Sequence, residues 1–386
     1  MKKTQITMTF AAFFAIMLLL GSVYTYSVYR PFIIQFYNIS LFESGLPYMA
    51  SLAVFAVSMT AVGRVIQAQN IKKLLLIGSG FLSSGFLLSA LAPNIWLFTL
   101  GYGGLVGIGV GIVYALALNI IPRIYTERIG LMSGLVLMAF GLSSSIVSPI
   151  AQSFLSNFSL QAWFLLFAVG TLVFANVPSL FLQLKPDAPR ERVESQGVLF
   201  FILFFTLASF VGLMIIGISA FIGTTVYNFD GGTVALLVSL FALGNAGARP
   251  VFGYLVDKIG FLKSSYIINA LIVAASLFNL LNQGSNIAVF GFGYFLYWVS
   301  LGAWLAMMPL LTKRIFGTEQ YASAYGKVYL GYGIAAILGT LFSGVILDLL
   351  GGPEWIYLGI ILFAVVIAGM SFYIQFTYLS TSKQLA

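Results

Sequence analysis

The chain has 386 residues, of which 60% are hydrophobic and only 7% charged, with a formal net charge of +8 and neither cysteine nor histidine. A water-soluble protein of this length needs a charged surface that this composition cannot supply, and the missing residues exclude disulfides, thiolate chemistry, imidazole metal sites and imidazole bases. In a soluble protein the positive balance would point to nucleic acid; here the basic residues sit in short loops between apolar runs, where they act as membrane topology signals.

Lys2 and Lys3, followed by the apolar run from Phe10, have the look of a leader peptide. The run continues past Gly21 without a small-residue cleavage site, so a retained first span is expected. Twelve spans are predicted, near 8–29, 44–64, 74–92, 95–121, 130–150, 162–184, 197–225, 233–256, 264–282, 286–310, 325–347 and 355–379. A bilayer core takes about twenty residues of helix, and each run supplies them. The one polar stretch of any length, Lys185 to Gln196, is read as a cytoplasmic linker (185–196) between an N-terminal six-helix bundle (1–184) and a C-terminal one (197–386). Placing the N-terminus in the cytoplasm puts every Lys and Arg on that side except Arg30, which falls outside, and Arg249, which falls within the membrane. This bias predicts a multi-pass protein of the cell membrane with both termini cytoplasmic.

The chain repeats itself. Ser133-Gly134-Leu135-Val136-Leu137-Met138-Ala139-Phe140-Gly141-Leu142 aligns without gaps to Tyr325-Gly326-Lys327-Val328-Tyr329-Leu330-Gly331-Tyr332-Gly333-Ile334, and Gly63, Gln67, Asn70 and Lys73 match Gly253, Asp257, Gly260 and Lys263 in spacing. Both offsets are close to half the chain. Two pseudosymmetric six-helix halves in parallel repeat make an all-α polytopic membrane protein with the major facilitator fold.

Within that frame Arg249 is the anomaly. It lies eight residues before Asp257, which places it about 12 Å inside the span at helical rise, where a guanidinium costs about 2.5–3.5 kcal/mol on insertion scales. It either snorkels to the cytoplasmic face or serves a site. Asp257 is two turns away along the same helix, and Glu43, Asp230, Asp348 and Glu354 fall at outer ends or loops. Asn245, one turn earlier on the same face, can hydrogen-bond to it but brings no charge. A guanidinium fits a planar carboxylate through two parallel hydrogen bonds, so an incoming anion is the leading candidate partner.

Aromatic residues come next: Tyr24 and Tyr26 in span 1, Tyr114 in span 4, Trp298 and Trp304 in span 10, and Tyr325, Tyr329 and Tyr332 in span 11. Each serves as packing or belt residue unless it faces a cavity. Tyr325, Tyr329, Tyr332 and Ala336 form one stripe, with Tyr332 deepest. Gly103, Gly107 and Gly111 recur at four-residue spacing and predict close packing of span 4. Gly101-Tyr102-Gly103-Gly104 sits inside a span and is no nucleotide loop; Ser143-Ser144-Ser145 has no base to activate it. No cofactor and no metal are expected, nor an enzyme.

Three stretches then resemble the oxalate/formate antiporter family, which is related to monocarboxylate transporters. They are Leu20-Gly21-Ser22-Val23-Tyr24-Thr25-Tyr26-Ser27-Val28, with Tyr26 where the family has tryptophan; Asn245-Ala246-Gly247-Ala248-Arg249 leading to Gly253 and Asp257; and Tyr325 to Ile334, closest to bacterial pyruvate-type members. The resemblance implies that Arg249 binds a substrate carboxylate and that Tyr114 faces the substrate. The family's oxalate exchanger has a lysine where this chain has Tyr332, which implies one cation and a monocarboxylate. Animal proton-coupled carriers have an acid where Asn245 stands, and span 10 has Leu301-Gly302-Ala303 in place of an aromatic and two glycines. The expected function is a secondary transporter of pyruvate, lactate or formate class, working as a monomer by alternating access. Arg249, Asn245, Tyr332, Tyr114 and Tyr24 form its substrate site, and any coupled proton enters with the anion. An oxalate/formate-type exchanger and an exporter of an unrelated small molecule are the alternatives.

Overall fold

An apolar segment in a bilayer must satisfy its own backbone hydrogen bonds, and the α-helix does so within one stretch of chain. The structure, a computed structural model, describes residues 3–63, 65–125, 129–182 and 197–379. Among these are twelve helices long and apolar enough to cross a membrane: α1 (Thr4–Tyr37), α2 (Leu41–Gly63), α3 (Ile71–Leu91), α4 (Ile95–Ile121), α5 (Gly134–Asn157), α6 (Leu160–Phe181), α7 (Val198–Val226), α8 (Gly231–Ile259), α9 (Phe261–Asn282), α10 (Ile287–Gly317), α11 (Ala324–Leu350) and α12 (Glu354–Leu379). The predicted linker lies outside the described residues, as do Lys2, Arg64, Arg128 and Lys383.

The helices fall into two compact units, Met1–Arg192 and Val193–Ala386. In the first, α1 packs on α5, α2 on α4, α3 on α6, and α3 on α4. In the second, α7 packs on α11, α8 on α10, α9 on α12, and α9 on α10. Adding six to each helix number turns one pairing scheme into the other. The internal repeat seen in the residues is therefore a repeat of packing partners.

Local chemistry sets the helix ends. The starts of α4, α6, α8 and α10 are capped by side chains: Leu97 N–H donates to Asn94 Oδ1 at 2.9 Å, Ala162 N–H to Ser159 Oγ at 3.1 Å, Thr233 N–H to Asp230 Oδ2 at 2.8 Å, and Ala288 N–H to Asn286 Oδ1 at 2.8 Å. Each satisfies an N–H that the helix leaves without a partner. These uncharged or acidic caps alternate with loops carrying the basic residues. Between α8 and α9 the chain turns on one residue, Gly260, at φ 85° and ψ 169°, a conformation that side chains with a Cβ avoid.

The surface is apolar as well as the core, unlike that of a soluble protein. Leu91, Leu166, Val169, Leu281, Leu362 and Val365 are exposed, whereas Ser22, Thr25, Ser27, Arg30, Asn245, Arg249 and Asn279 are buried. The exposed apolar side chains suit lipid surroundings, while the buried polar ones sit among neighbouring helices with the apolar core. The glycines of α4 lie against α2, with Gly103 on Ala50, Gly107 on Ser51 and Val54, and Gly111 on Phe55 and Ser58.

The largest departure from the predicted spans is α1. Its apolar run was expected to stop near residue 29, with Arg30 in an outer loop. The helix instead continues through Pro31 to Tyr37, and Arg30 is buried within it.

Candidate substrate site

In the second unit α8 carries Asn245 and Arg249 one turn apart. Asn245 is fully buried and Arg249 is 8% exposed, so the guanidinium does not reach out along the helix. Arg249 Nη2 donates to Asn245 Oδ1 at 3.2 Å. Asn245 Nδ2 donates in turn to the Trp298 carbonyl on α10 at 3.0 Å, and Trp298 Nε1 donates to Ser219 Oγ on α7 at 3.1 Å. Three helices are thus joined by one buried string of hydrogen bonds that includes the guanidinium. The amide supplies orientation and no charge. Asp257, at the far end of α8, pairs instead with Arg314 at 3.2 Å.

Tyr332 lies in a separate aromatic cluster of the same unit. The backbone tightens at Tyr329, where Tyr332 N–H donates to the Tyr329 carbonyl at 3.0 Å. A turn of that pitch eclipses side chains three apart. The Tyr329 and Tyr332 rings accordingly stack at 5.1 Å and 22°, with Phe205 of α7 beside them at 6.3 Å from Tyr332. Of the span 11 stripe, Tyr329, Tyr332 and Ala336 are buried and Tyr325 is half-buried at the end of the helix.

In the first unit, Tyr24 and Tyr114 meet through a residue that the sequence reading did not single out. Phe140 of α5 receives the Tyr24 ring edge-on at 5.2 Å and the Tyr114 ring edge-on at 5.2 Å, and Tyr114 also packs on Phe55 at 5.0 Å. The serine cluster of α5 serves packing: Ser144 Oγ lies 2.8 Å from Thr25 Oγ1 of α1, and Ser145 hydrogen-bonds within its own helix.

Arg30 is a second buried guanidinium that sequence reasoning placed elsewhere. Its Nε donates to Ser44 Oγ at 2.9 Å and its Nη2 to the Leu41 carbonyl at 2.7 Å, both on the first turn of α2. The Tyr26 hydroxyl donates to the Ser44 carbonyl at 2.6 Å, and the Tyr26 ring stacks on Tyr48 at 5.6 Å. The signal available was the apolar run after it, Phe32-Ile33-Ile34 and Phe36-Tyr37, which carries the helix on past the cation.

A cleft of about 660 Å³ at the ends of α1 and α3 is lined by Phe36, Tyr37, Glu43, Trp96 and Gln161 among others. It contains none of the predicted site residues. Its one charged group, Glu43, has the wrong sign to hold an anion.

The second unit holds a buried guanidinium oriented by an amide, and a guanidinium is a group whose fork of N–H donors matches a planar carboxylate. Comparison with known proteins supplies the context. The Major Facilitator Superfamily model matches residues 12–202 and 198–384. An uncharacterized MFS-type transporter, YhjX of Escherichia coli, is 26% identical over 82% of each chain. The oxalate:formate antiporter of Oxalobacter formigenes is 28% identical over 61% of this chain and 59% of its own. Human monocarboxylate transporter 11 is 30% identical over 48% of this chain and 42% of its own. Among solved structures, a bacterial homolog of the human lysosomal transporter Spinster superposes with a TM-score of 0.74 at 15% identity, covering 98% of this chain and 99% of that one. Its likeness is one of fold. With both six-helix units matched, the chain belongs to the Major Facilitator Superfamily and is a multi-pass membrane transporter rather than an enzyme, with oxalate:formate and monocarboxylate carriers among its relatives.

Proposed function

We propose that the protein is a secondary transporter of a small monocarboxylate of the pyruvate, lactate or formate class. The observation that carries the reading is Arg249: a guanidinium deep in a membrane helix, held in a fixed orientation by Asn245. A charged side chain buried within a membrane span marks a functional position, and a carboxylate has the geometry to meet a guanidinium through two parallel hydrogen bonds. The names of the relatives, with formate and monocarboxylates among their cargo, point to the same chemistry. Tyr332, Tyr114 and Tyr24 are proposed to bound the volume open to the anion and to offer phenol donors.

In this reading both termini face the cytoplasm of a cell-membrane protein, as the basic loops require. Any coupled proton travels with the anion, because Asn245 stands where a carboxyl would relay it. The substrate arrives, the transporter changes which side is open, and the anion leaves on the other side.

Uptake of labelled pyruvate, lactate and formate into proteoliposomes tests the proposal. Arg249→Ala is expected to reduce uptake to background, since removing one member of a buried charge pair costs about 2–5 kcal/mol. Unchanged uptake by that variant would overturn the reading.

A further inference from the structure

We infer that Gly302 and Trp298 of α10, with Ser219 of α7, are positioning residues that set the aim of the Arg249 guanidinium. The inference rests on the carboxylate-anchor reading and names what holds that anchor in place.

The two ends of the Asn245 amide are committed to different partners. Oδ1 accepts from Arg249 and Nδ2 donates to the Trp298 carbonyl. Turning the amide over would set an N–H₂ against the guanidinium and an oxygen against a carbonyl oxygen, two repulsions in place of two bonds. The amide therefore presents its oxygen to Arg249 for as long as the Trp298 carbonyl stays within reach.

That reach depends on Gly302. The carbonyl of Trp298 lies one helical turn before the N–H of Gly302, and a carbonyl oxygen has two lone pairs, so it accepts the Asn245 donor as well. A Cβ at position 302 would collide with the carbonyl oxygen, carbonyl carbon and Cα of Asn245. These are backbone atoms, and they cannot swing aside. Any side chain there separates α10 from α8 and lengthens the 3.0 Å bond that orients the amide.

Ser219 fixes the remaining freedom. The Trp298 indole is fully buried, and its N–H donates to Ser219 Oγ at 3.1 Å while the Ser219 hydroxyl donates to the Ile215 carbonyl at 2.6 Å. This ties the rotation of α10 to α7. Position along α8 and rotation of α10 are thus both set before an anion arrives, which is the arrangement that lowers the ordering cost of binding.

The test uses the purified full-length protein reconstituted in liposomes, with formate, acetate, pyruvate, lactate and oxalate as probes. Uptake KM and maximum rate are measured for Gly302→Ala, Ser219→Ala and Ser219→Thr, alone and together with Asn245→Ala. Gly302→Ala is expected to raise KM on the order of 10- to 100-fold, the scale of an ångström-sized misplacement, with the maximum rate retained. Ser219→Ala raises KM by a smaller factor, and Ser219→Thr, which keeps the hydroxyl, restores it. On the Asn245→Ala background neither Gly302→Ala nor Ser219→Ala adds a further rise. If Gly302→Ala fails to fold, the Ser219 pair alone decides. Wild-type KM in both alanine variants, or effects that add in full to Asn245→Ala, would overturn the inference while leaving the anchor intact. Wild-type uptake by Arg249→Ala, or no response of the wild type to any acid of the panel, removes the anchor reading and this inference with it.

Discussion

Asn245 shows how much a single amide decides. An ionised carboxylate in its place would face the Trp298 carbonyl with an oxygen and would pair directly with Arg249, competing with the anion proposed to bind there. A protonated carboxyl would reproduce the amide, donating to Trp298 and accepting from Arg249. Asn245→Asp is therefore expected to raise KM near neutral pH and to recover toward the wild-type value as the medium is acidified. A KM ratio between variant and wild type that does not move with pH would reject this account. The Asn245–Arg249 contact was legible from the chain because it follows from i, i+4 spacing on one helix. The Trp298 carbonyl was not, because it comes from another helix 53 residues away and no spacing rule reaches it. Arg30 makes the converse point: a cation followed by proline looks like the end of a span, yet Ser44 and Leu41 supply acceptors that let the helix carry it inward. Arg30→Leu is expected to destabilise the detergent-solubilised protein by about 1.5–3 kcal/mol, the worth of hydrogen bonds to a charged group, read as a lower thermal midpoint. Arg30→Lys should recover only part, since an ammonium lacks the fork that serves both acceptors; full recovery would argue for charge alone.

Helix ends respond to pH through their caps. The N–H and hydroxyl of Thr233 hold the Asp230 carboxyl below the usual carboxylate range. A carboxyl with a depressed folded-state pKa contributes stability above its unfolded value and loses it as pH falls through the folded one. The thermal midpoint of Asp230→Asn, which caps α8 without titrating, should therefore be offset from the wild type by a constant amount near neutrality. That offset should shift in favour of the variant in acid, and an offset constant into acid would contradict the assignment. The Asp257–Arg314 pair between α8 and α10 is a different case. Its side chains are 67% and 44% exposed, so it is worth about 0–1 kcal/mol and is screened by salt. Arg314→Gln should leave the thermal midpoint within error of the wild type. Helix number and order were readable from hydropathy because a bilayer imposes one length on every span. The packing partners were readable only as far as the repeat went, since helix contacts depend on small residues and side-chain shape.

For the whole molecule the basic loops and the lack of cysteine offer a direct test of orientation. A chain without cysteine is its own background for labelling. Lys72→Cys, in the exposed first turn of α3, should resist a membrane-impermeant maleimide in intact cells, and Phe158→Cys, between α5 and α6, should react. The opposite pattern would invert the proposed topology. The superfamily fold was legible at this scale because two matched halves leave a trace in the residues themselves, whereas the nature of the cargo depends on a few side chains that the repeat does not constrain. The side chains proposed for that role are unevenly distributed. The oriented guanidinium and the string that holds it belong wholly to Val193–Ala386, while the phenols gathered on Phe140 belong wholly to Met1–Arg192. In the proposed site the demand for a negative charge is therefore heritable with one half of the chain. A chimaera that took its second half from this protein and its first from a relative should still demand an acid, because the proposed anchor and everything that aims it would come with the second half.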